Sequence, residues 1–255
     1  MRNLCIIIPK GEGNAFIICL FMNYGVILSG GIGARMNLNG IPKQYVFVEN
    51  KPILIYTLEK FEKCPDIDKI IVVASKEWID KIYEWIKEYN ITKFAAFAHS
   101  GETRQRSVRN GLDACMQFNP TENDIVAVHD AARPLVKPQA ISDLIAGAKD
   151  YGGCLPVLPM VETVYQTDDG KSISHLLNRD TLFLGQTPEA FLLLRYREIN
   201  HNISDEELDS YRGAAQLAHK YGMKIHLIPG DYSNFKLTIP SDLQKFRAIC
   251  EEENR

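Results

Sequence analysis

A glycine-rich loop next to two cationic side chains is the first part of this sequence that could do chemistry. Ser29-Gly30-Gly31-Ile32-Gly33-Ala34-Arg35-Met36 directly follows the apolar run Tyr24–Leu28, and Pro42-Lys43-Gln44 comes shortly after it. Backbone N–H groups in such a loop can approach phosphate oxygens, and Arg35 and Lys43 add positive charge beside them. The segment therefore predicts a nucleoside triphosphate site.

The glycines alone leave another interpretation open, because a tight turn can need glycine only for a positive φ. Two known phosphate motifs are excluded. The third glycine of the dinucleotide fingerprint is missing, since Met36 stands in its place, and no Gly-Lys-Ser/Thr follows as in a Walker loop. The closeness of Arg35 and Lys43 to the glycines favours phosphate binding.

A second segment, Gly101-Glu102-Thr103-Arg104-Gln105-Arg106-Ser107-Val108-Arg109-Asn110-Gly111-Leu112, has the pattern of a loop that enters a helix. Such a helix start would direct free N–H groups, the Ser107 hydroxyl and three arginines (Arg104, Arg106 and Arg109) toward an anion or a base edge. The alternative is an N-capped surface helix with a solvated basic face.

The third segment, His129-Asp130-Ala131-Ala132-Arg133-Pro134, ends an apolar run. A carboxylate and an arginine three residues apart at the end of a strand can hold a metal–triphosphate or a ribose hydroxyl, and Asp130 is the candidate ligand for Mg²⁺. A structural ion pair between Asp130 and Arg133 is the alternative. His129 is interpreted as a packing residue rather than as a base.

Strands and helices alternate around these segments. Lys69–Ala74 and Asp124–His129 are almost continuously apolar, as in strands buried on both faces of a parallel sheet, whereas Pro52–Lys63 and Glu77–Tyr89 have helical periodicity. The pattern predicts a single Rossmann-like α/β domain with a mostly parallel sheet. Ligands bind at the carboxyl ends of such strands, so the Gly30 loop and the segment after His129 should converge there.

Composition excludes several classes of protein. The chain has 255 residues, 45% hydrophobic and 24% charged, which is ordinary for one globular domain. A net charge of −3 argues against nucleic acid as a partner. The six cysteines form no C-x-x-C pair, which favours reduced thiols in a cytoplasmic protein over a zinc site or a disulfide framework.

Two stretches lie outside the regular pattern. Residues 1–21 contain short apolar runs separated by Pro9-Lys10-Gly11-Glu12, too short to span a membrane and unlike a signal peptide. We expect an N-terminal extension there, Met22 as the functional start, and a nucleotidyltransferase domain over 22–255. The polar middle of about 160–183 predicts an arm that projects from the sheet and makes a subunit contact.

Over essentially all of Met22 to Arg255 the chain resembles the cytidylyltransferases that make CDP-linked polyols. These include the 2-C-methyl-D-erythritol 4-phosphate enzymes of isoprenoid biosynthesis and the ribitol-5-phosphate enzymes of cell-wall and capsule synthesis. The motifs that carry the resemblance are G-G-x-G-x-R-M with Pro42-Lys43-Gln44, T-R-Q-x-S-V-x-N-G-L from Thr103, His129 to Pro134, Asn178-Arg179, Gln186-Thr187-Pro188, and Asn234-Phe235-Lys236-Leu237-Thr238.

The resemblance implies that an acceptor phosphate attacks the α-phosphorus of CTP, with Mg²⁺ or another divalent cation on the triphosphate, and that two subunits share each active site in a homodimer. It assigns the catalytic charges to Arg35, Lys43 and Lys236. It assigns nucleotide binding to Ser29, Gly30, Gly31, Gly33, Gly101, Glu102, Arg104, Ser107 and Asp130, with Asp130 also near the metal. It assigns acceptor binding to Arg133, Thr163, Arg179 and Thr187, with Thr163 and Arg179 coming from the second subunit's arm.

One departure from the family concerns the acceptor. Where the erythritol-phosphate enzymes carry Thr-Asp-Glu-Ala-Ser, this chain has Arg212-Gly213-Ala214-Ala215-Gln216, and the similar Ser204-Asp205-Glu206-Glu207 comes eight positions earlier. Either an insertion displaces the motif or the pocket has changed. Methylerythritol phosphate is the expected acceptor, with ribitol 5-phosphate as the alternative. A CTP-binding protein without turnover, and a uridylyl- or guanylyltransferase, also remain open.

Overall fold

The computed structural model describes residues 6–10, 14–18, 21–31 and 40–253. The strands in these ranges are β1 (Ile6–Lys10), β2 (Asn14–Ile18), β3 (Asn23–Leu28), β4 (Phe47–Val48), β5 (Lys51–Pro52), β6 (Lys69–Ala74), β7 (Phe94–His99), β8 (Ile125–Asp130), β9 (Gly153–Pro159), β10 (Tyr165–Gln166), β11 (His175–Leu176), β12 (Phe183–Gly185), β13 (Glu189–Leu192) and β14 (His226–Pro229). The α-helices are α1 (Ile53–Lys63), α2 (Ile79–Glu88), α3 (Arg104–Cys115), α4 (Pro138–Tyr151), α5 (Leu193–His201), α6 (Asp205–Ser210), α7 (Ala214–Lys220) and α8 (Pro240–Glu253).

The central sheet has the strand order β12-β9-β13-β8-β3-β6-β7, with β14 also paired to β9. Strands β3, β6, β7 and β8 are parallel, and Leu28 pairs with Asp130 at the carboxyl ends of β3 and β8. Almost every residue of β3, β6 and β8 is buried, which explains their continuously apolar sequences. The predicted α/β fold and these three strands are confirmed.

Helices cover both faces of this sheet. On one face α1 packs Leu54, Leu58 and Phe61 into a core shared with α2 and α4, and on the other face α3, α5 and α7 enclose a second core. The predicted helix over Pro52–Lys63 is confirmed, with Pro52 as its N-cap residue. The predicted helix over Glu77–Tyr89 begins as a 3₁₀ turn and becomes α-helical at Ile79.

The half of the sheet that contains β9, β12, β13 and β14 is mixed. Strand β14 runs parallel to β9, and the sequence pattern did not indicate the antiparallel strands β12 and β13. Strand β13 runs antiparallel to both β8 and β9, and β12 runs antiparallel to β9. As a result, Gln186 and Thr187, which precede β13, lie beside the carboxyl end of β8, where the backbone N–H of Asp130 donates to Thr187 Oγ1 at 3.3 Å.

The region predicted as an arm contains the short antiparallel hairpin β10–β11. Its turn is closed by Asp169, whose carboxylate accepts backbone N–H groups of Ser172 and Lys171, and these bonds lower the Asp169 pKa to about 2. Apolar side chains along the region, including Ile173 and Leu176, are exposed. Its role as a subunit contact stays a prediction.

The N-terminal stretch contributes a separate two-stranded sheet of β1 and β2. Met22, proposed as the functional start, is buried, and its N–H donates to Asp124 Oδ1 at 3.1 Å. The boundary at residue 22 stays a prediction. Among the described residues, no helix is both long enough and apolar enough to cross a membrane.

Candidate active site

The described start of the glycine-rich loop, residues 29–31, is held by Gln44 and Tyr45. Gln44 donates to the carbonyls of Ser29 at 2.6 Å and Gly31 at 2.8 Å, and Tyr45 Oη donates to the same Ser29 carbonyl at 2.7 Å. At Gly30 a Cβ atom would lie 2.2 Å from Ser100 Cβ, so glycine is required there by close approach, and no positive φ is involved. Residues 29–31 are thus held by protein contacts without a ligand.

The start of α3 is built in a similar way. Thr103 is the N-cap residue and accepts the N–H of Arg106, while Ser107 Oγ accepts the N–H of Gly101 at 3.0 Å and donates to the Thr103 carbonyl at 3.0 Å. A Cβ at Gly101 would lie 2.4 Å from Arg106 Cβ. The turn before α3 therefore packs directly on the first turn of the helix.

Only one of the three arginines of α3 faces the site. Arg106 binds Asp209 through Nη2 at 2.7 Å, and Arg109 binds Asp205 at 2.8 Å. Both partners lie on α6, so the prediction that all three arginines point toward a ligand was wrong. A basic stripe in sequence cannot reveal that an acidic helix packs against it.

Asp130 lies at the centre of a cluster of charges at the end of β8. Lys236 Nζ is 2.7 Å from Oδ2, Arg104 Nε is 3.3 Å from Oδ1, and Arg133 Nε is 4.0 Å from Oδ2. Burial disfavours the carboxylate, but the charges of Arg104, Lys236 and Arg133 outweigh it and hold the Asp130 pKa well below its usual range. Asp130 is therefore ionised throughout the neutral range.

Arg104 connects this cluster to a second buried carboxylate, Glu189, at 3.2 Å. Burial disfavours the guanidinium, yet Asp130 and Glu189 together raise the Arg104 pKa. Glu189 also accepts the backbone N–H groups of Ala214 at 3.4 Å and Ala215 at 2.5 Å at the start of α7. A continuous line of contacts thus runs from Lys236 to α7.

His129 behaves as the packing residue that was expected. Its side chain is fully buried, Nε2 lies 3.1 Å from the Arg133 carbonyl, and the ring packs against Phe61. Burial lowers the His129 pKa to about 4. The imidazole is consequently neutral near pH 7 and shielded from any ligand.

Two cavities meet at the charge cluster. The first cavity, of about 490 Å³, lies over the carboxyl ends of the parallel strands and is lined by Leu28, Gly30, Gly31, Lys43, Gln44, Gly101, Glu102, Thr103, Arg104, Ser107, Asp130, Ala131, Ala132, Lys236 and Thr238. The second cavity, of about 450 Å³, is lined by Arg104, Asp130, Arg133, Leu155, Phe183, Gly185, Gln186, Thr187, Glu189, Arg212, Gly213, Ala215, Gln216 and Lys236. Arg104, Asp130 and Lys236 line both.

Most of the residues singled out in the sequence come together here. Those lining the first cavity are Gly30, Gly31, Lys43, Gly101, Glu102, Arg104, Ser107, Asp130 and Lys236, and Arg133 and Thr187 line the second. Ser29 does not line either cavity, because its carbonyl is bound by Gln44 and Tyr45 and its N–H donates to Val73. Thr163 and Arg179 belong to the region predicted as an arm and do not line either cavity. Gly33 and Arg35 fall outside the described residues.

Sequence reasoning assigned no role to Glu189, Gln44 or Arg212. Gln44 stands inside the quoted Pro42-Lys43-Gln44 motif, and a polar side chain that closes the glycine loop could have been suspected from that position. Glu189 opens a short apolar strand, where a carboxylate must find a buried partner. The sequence could therefore indicate that Glu189 has a buried partner, but it could not identify Arg104 as that partner.

The acidic segment Ser204-Asp205-Glu206-Glu207, similar to the family motif, does not line either cavity. Ser204 caps the N-terminus of α6, and Asp205 pairs with α3. Residues of Arg212–Gln216 line the second cavity instead. The consequence of this departure for the acceptor stays a prediction.

Carboxylates that could accompany a divalent cation are few. Among the described residues, no group of three or more His, Cys, Asp or Glu side chains is placed to hold a metal ion. Mg²⁺ commonly binds through one or two carboxylates plus substrate phosphates. Asp130, with Glu102 also lining the first cavity, fits a cation that arrives with a triphosphate rather than a resident metal.

Comparison with known proteins shows the family of the chain. A model of the 2-C-methyl-D-erythritol 4-phosphate cytidylyltransferase family matches residues 24–252. The chain is 32% identical over 230 residues to the ribitol-5-phosphate cytidylyltransferase of Streptococcus agalactiae serotype Ia, covering 90% of this chain and 96% of the relative. It is 34% identical over 236 residues to that of Vibrio parahaemolyticus serotype O3:K6, with coverages of 91% and 97%. Among solved structures, the 2-C-methyl-D-erythritol 4-phosphate cytidylyltransferase of Francisella tularensis superposes with a TM-score of 0.74 at 30% identity, covering 89% of this chain and 99% of that one.

Proposed function

Because this chain belongs to the IspD family and is a CTP-dependent polyol-phosphate cytidylyltransferase, we propose that it transfers CMP from CTP to ribitol 5-phosphate. The observation that carries the transfer reaction is the meeting of the two cavities at Arg104, Asp130 and Lys236. A nucleotide in the first cavity and an acceptor in the second would bring their phosphates together at these charges.

The reaction needs no covalent enzyme intermediate and no general base. An oxygen of the acceptor's phosphate forms a bond to the α-phosphorus of CTP, and the bond from that phosphorus to the bridging oxygen breaks, so that pyrophosphate leaves with the electron pair. The attacking phosphate is already ionised near neutral pH. Because two anions must approach, catalysis consists mainly of positioning and of neutralising charge.

Lys43 and Lys236 are the cations that we place on the reacting phosphates. Lys43 lines the first cavity only, which suits the triphosphate, and Lys236 lines both, which suits the acceptor oxygen and the α-phosphate. Asp130 holds Lys236 at 2.7 Å and so fixes its position before substrate binds. Arg35 keeps its proposed catalytic role by resemblance, and it lies outside the described residues.

We assign the nucleoside to the glycine loop and the start of α3. Gly30, Gly31, Gly101 and Glu102 line the first cavity with backbone groups, and Ser107 orders the turn beside them. Ser29 anchors the start of the loop, because Gln44 and Tyr45 donate to its carbonyl. Family members generally use a divalent cation, and Asp130 is the carboxylate we place near it and near the ribose. Such a cation would neutralise triphosphate charge.

Ribitol 5-phosphate is proposed as the acceptor because relatives at 32–34% identity over about nine-tenths of the chain carry that activity in their names. The changed Arg212–Gln216 segment in the second cavity supports an acceptor other than methylerythritol phosphate. Methylerythritol phosphate, the acceptor expected from sequence, is the second candidate, favoured by the family model and by similar solved structures.

Pyrophosphate release tests the proposal directly. The full chain is assayed with CTP and Mg²⁺ and with each of the two polyol phosphates at equal concentrations. We expect kcat/KM for ribitol 5-phosphate to exceed that for methylerythritol phosphate at least tenfold. The reverse ratio would replace the proposed acceptor with the second candidate, and release with neither would contradict both.

We further propose a homodimer in which the arm of one subunit reaches the second cavity of the other. Thr163 and Arg179 lie on the arm of their own chain, and Arg179 donates to the Val161 carbonyl at 3.1 Å. Exposed apolar residues beside them, Val161 and Leu176, would be covered by a second copy.

Mixed dimers test this sharing of sites. Arg179→Ala and Lys236→Ala chains, each inactive alone, are co-expressed. If the arm acts in trans, the heterodimers contain one intact site, and the mixture recovers roughly a quarter of wild-type activity by random pairing. No recovery, together with a dimer in ultracentrifugation, would place Arg179 in its own subunit's site.

A further inference from the structure

Arg212 differs from the other cations of the second cavity. Arg104, Arg133 and Lys236 are each engaged with Asp130. Across the described ranges, the Arg212 guanidinium makes neither an ion pair nor a hydrogen bond, although Arg212 lines the cavity. An exposed cation without a protein partner that faces a cavity is available to a ligand.

The backbone that carries this side chain is anchored. The N–H groups of Arg212 and Gly213 both donate to Gln216 Oε1, at 3.2 and 3.0 Å, and the start of α7 is bound by Glu189. Upstream, Asp209 of α6 accepts the Thr103 hydroxyl at 2.6 Å. Arg212 therefore extends from a fixed point between two helices.

Its position relative to the reaction centre follows from the line of contacts already described. Lys236 binds Asp130, Asp130 binds Arg104, Arg104 binds Glu189, and Glu189 binds the first residues of α7, next to Arg212. An acceptor phosphate held at Lys236 would direct the rest of its carbon chain along this line. Arg212 then faces the end of the acceptor that is remote from the phosphate.

A guanidinium can only donate hydrogen bonds, and its planar fork fits two neighbouring oxygens. We propose that Arg212 is a specificity-determining residue that binds two adjacent hydroxyls at the remote end of the polyol phosphate. This inference rests on the proposed function and deepens it. Ribitol 5-phosphate carries an unbranched, hydroxylated chain to that end, whereas methylerythritol phosphate has a backbone one carbon shorter and a methyl branch, so Arg212 favours the former.

The test compares wild-type protein with Arg212→Gln and Arg212→Lys, and with Arg247→Gln as a control on the exposed surface of α8. Calorimetry with a non-hydrolysable CTP analogue bound measures Kd for each polyol phosphate, and steady-state assays measure both KM values. We expect Arg212→Gln to weaken ribitol 5-phosphate about tenfold, methylerythritol phosphate less than threefold, and CTP not at all. Arg212→Lys should recover part of the loss, and Arg247→Gln should behave as wild type.

The outcomes separate this inference from the proposed function. If the wild-type protein turns over ribitol 5-phosphate and Arg212→Gln leaves its Kd within twofold, the inference is overturned while the function stands. If only methylerythritol phosphate is turned over, the proposed acceptor is wrong. The calorimetric Kd for ribitol 5-phosphate still decides the inference, which a change within twofold in Arg212→Gln overturns. Equal weakening of both acceptors also overturns it, because selectivity would then be absent.

Discussion

The two cavities are built in different ways. The first cavity is lined by segments that follow the parallel strands, at 28–31, 101–107 and 130–132, together with Lys43, Gln44, Lys236 and Thr238. Gln44 and Ser107 hold the backbone of its glycines. The second cavity combines the antiparallel strands β12 and β13 with the α6–α7 connection, and it presents side chains such as Glu189 and Arg212. Exposed backbone at glycines suits a ligand that all members of a family bind, because it varies little between sequences. A cavity lined by side chains can change its ligand through few substitutions.

The two cavities share the charged residues at their boundary. Asp130 is nearly surrounded by Arg104, Lys236 and Arg133, and two of these cations reach both cavities. Removing this one carboxylate should therefore disturb nucleotide and acceptor together, while changes on either side should disturb mainly one substrate. Substitutions at the boundary and on either side of it test whether the two substrates are affected together or separately.

Asp130→Asn should have the largest effect, a fall in kcat of about 10³-fold. The amide keeps the shape of the side chain but leaves three neighbouring cations without their shared counter-charge. Steady-state kinetics measures kcat and both KM values, with thermal unfolding to verify the fold and Asp150→Asn at the end of α4 as the matched control. A loss of less than tenfold would show that Asp130 does not organise the boundary.

Lys43→Ala should lower kcat about 10²-fold with the fold intact, because one cation is lost from the charge that develops on the phosphates. Since Lys43 lines only the first cavity, KM for the acceptor should change less than twofold. Lys63→Ala, an exposed lysine at the end of α1, is the control. An unchanged rate would remove Lys43 from the mechanism.

Glu189→Gln should act more on the acceptor than on CTP, raising the acceptor KM about tenfold and the CTP KM only about threefold, because Arg104 also lines the first cavity. The carboxylate is lost from Arg104 and from the start of α7, so both become less well positioned. Glu198→Gln on the exposed side of α5 serves as the comparison. If KM for CTP rose as much as KM for the acceptor, the two cavities would be coupled more tightly than proposed.

The smallest expected effect is on folding stability and comes from His129, in strand β8 beneath both cavities. Burial lowers the His129 pKa to about 4, whereas an unfolded histidine titrates near 6.5. As pH falls from 6.5 toward 4, the unfolded chain binds a proton that the folded protein excludes, so stability is lost over that range. The contribution is about 2 kcal/mol at pH 5 relative to pH 7.

Urea unfolding of wild-type protein and His129→Asn at the two pH values measures this contribution. The variant is less stable overall, because Phe61 and the Arg133 carbonyl lose their partner. Its stability should nevertheless fall less between pH 7 and pH 5 than that of the wild type. Parallel losses in the two proteins would exclude His129 as the source.

Sequence alone predicted a large part of the fold and of the first cavity. Strands β3, β6 and β8 are apolar over their whole length, and α1 carries its apolar residues at helical spacing, so local patterns were sufficient. The antiparallel strands β12 and β13 are short, and β12 is exposed, so their pattern is weak. Arg106 and Arg109 were misplaced for a related reason, since their partners lie about 100 residues away in sequence.

What the sequence determined by itself was the first cavity, which we propose for the nucleotide, because loops after buried strands bring Gly30, Lys43 and Asp130 to one edge of a parallel sheet. Only the tertiary structure decided the second cavity, which we propose for the acceptor. The contacts of Glu189 with Arg104 and α7, and the place of Arg212 in the second cavity, depend on how β13, α6 and α7 pack against α3 and β8. Long-range packing of this kind leaves no period or spacing in the chain, since it results from burying distant elements together.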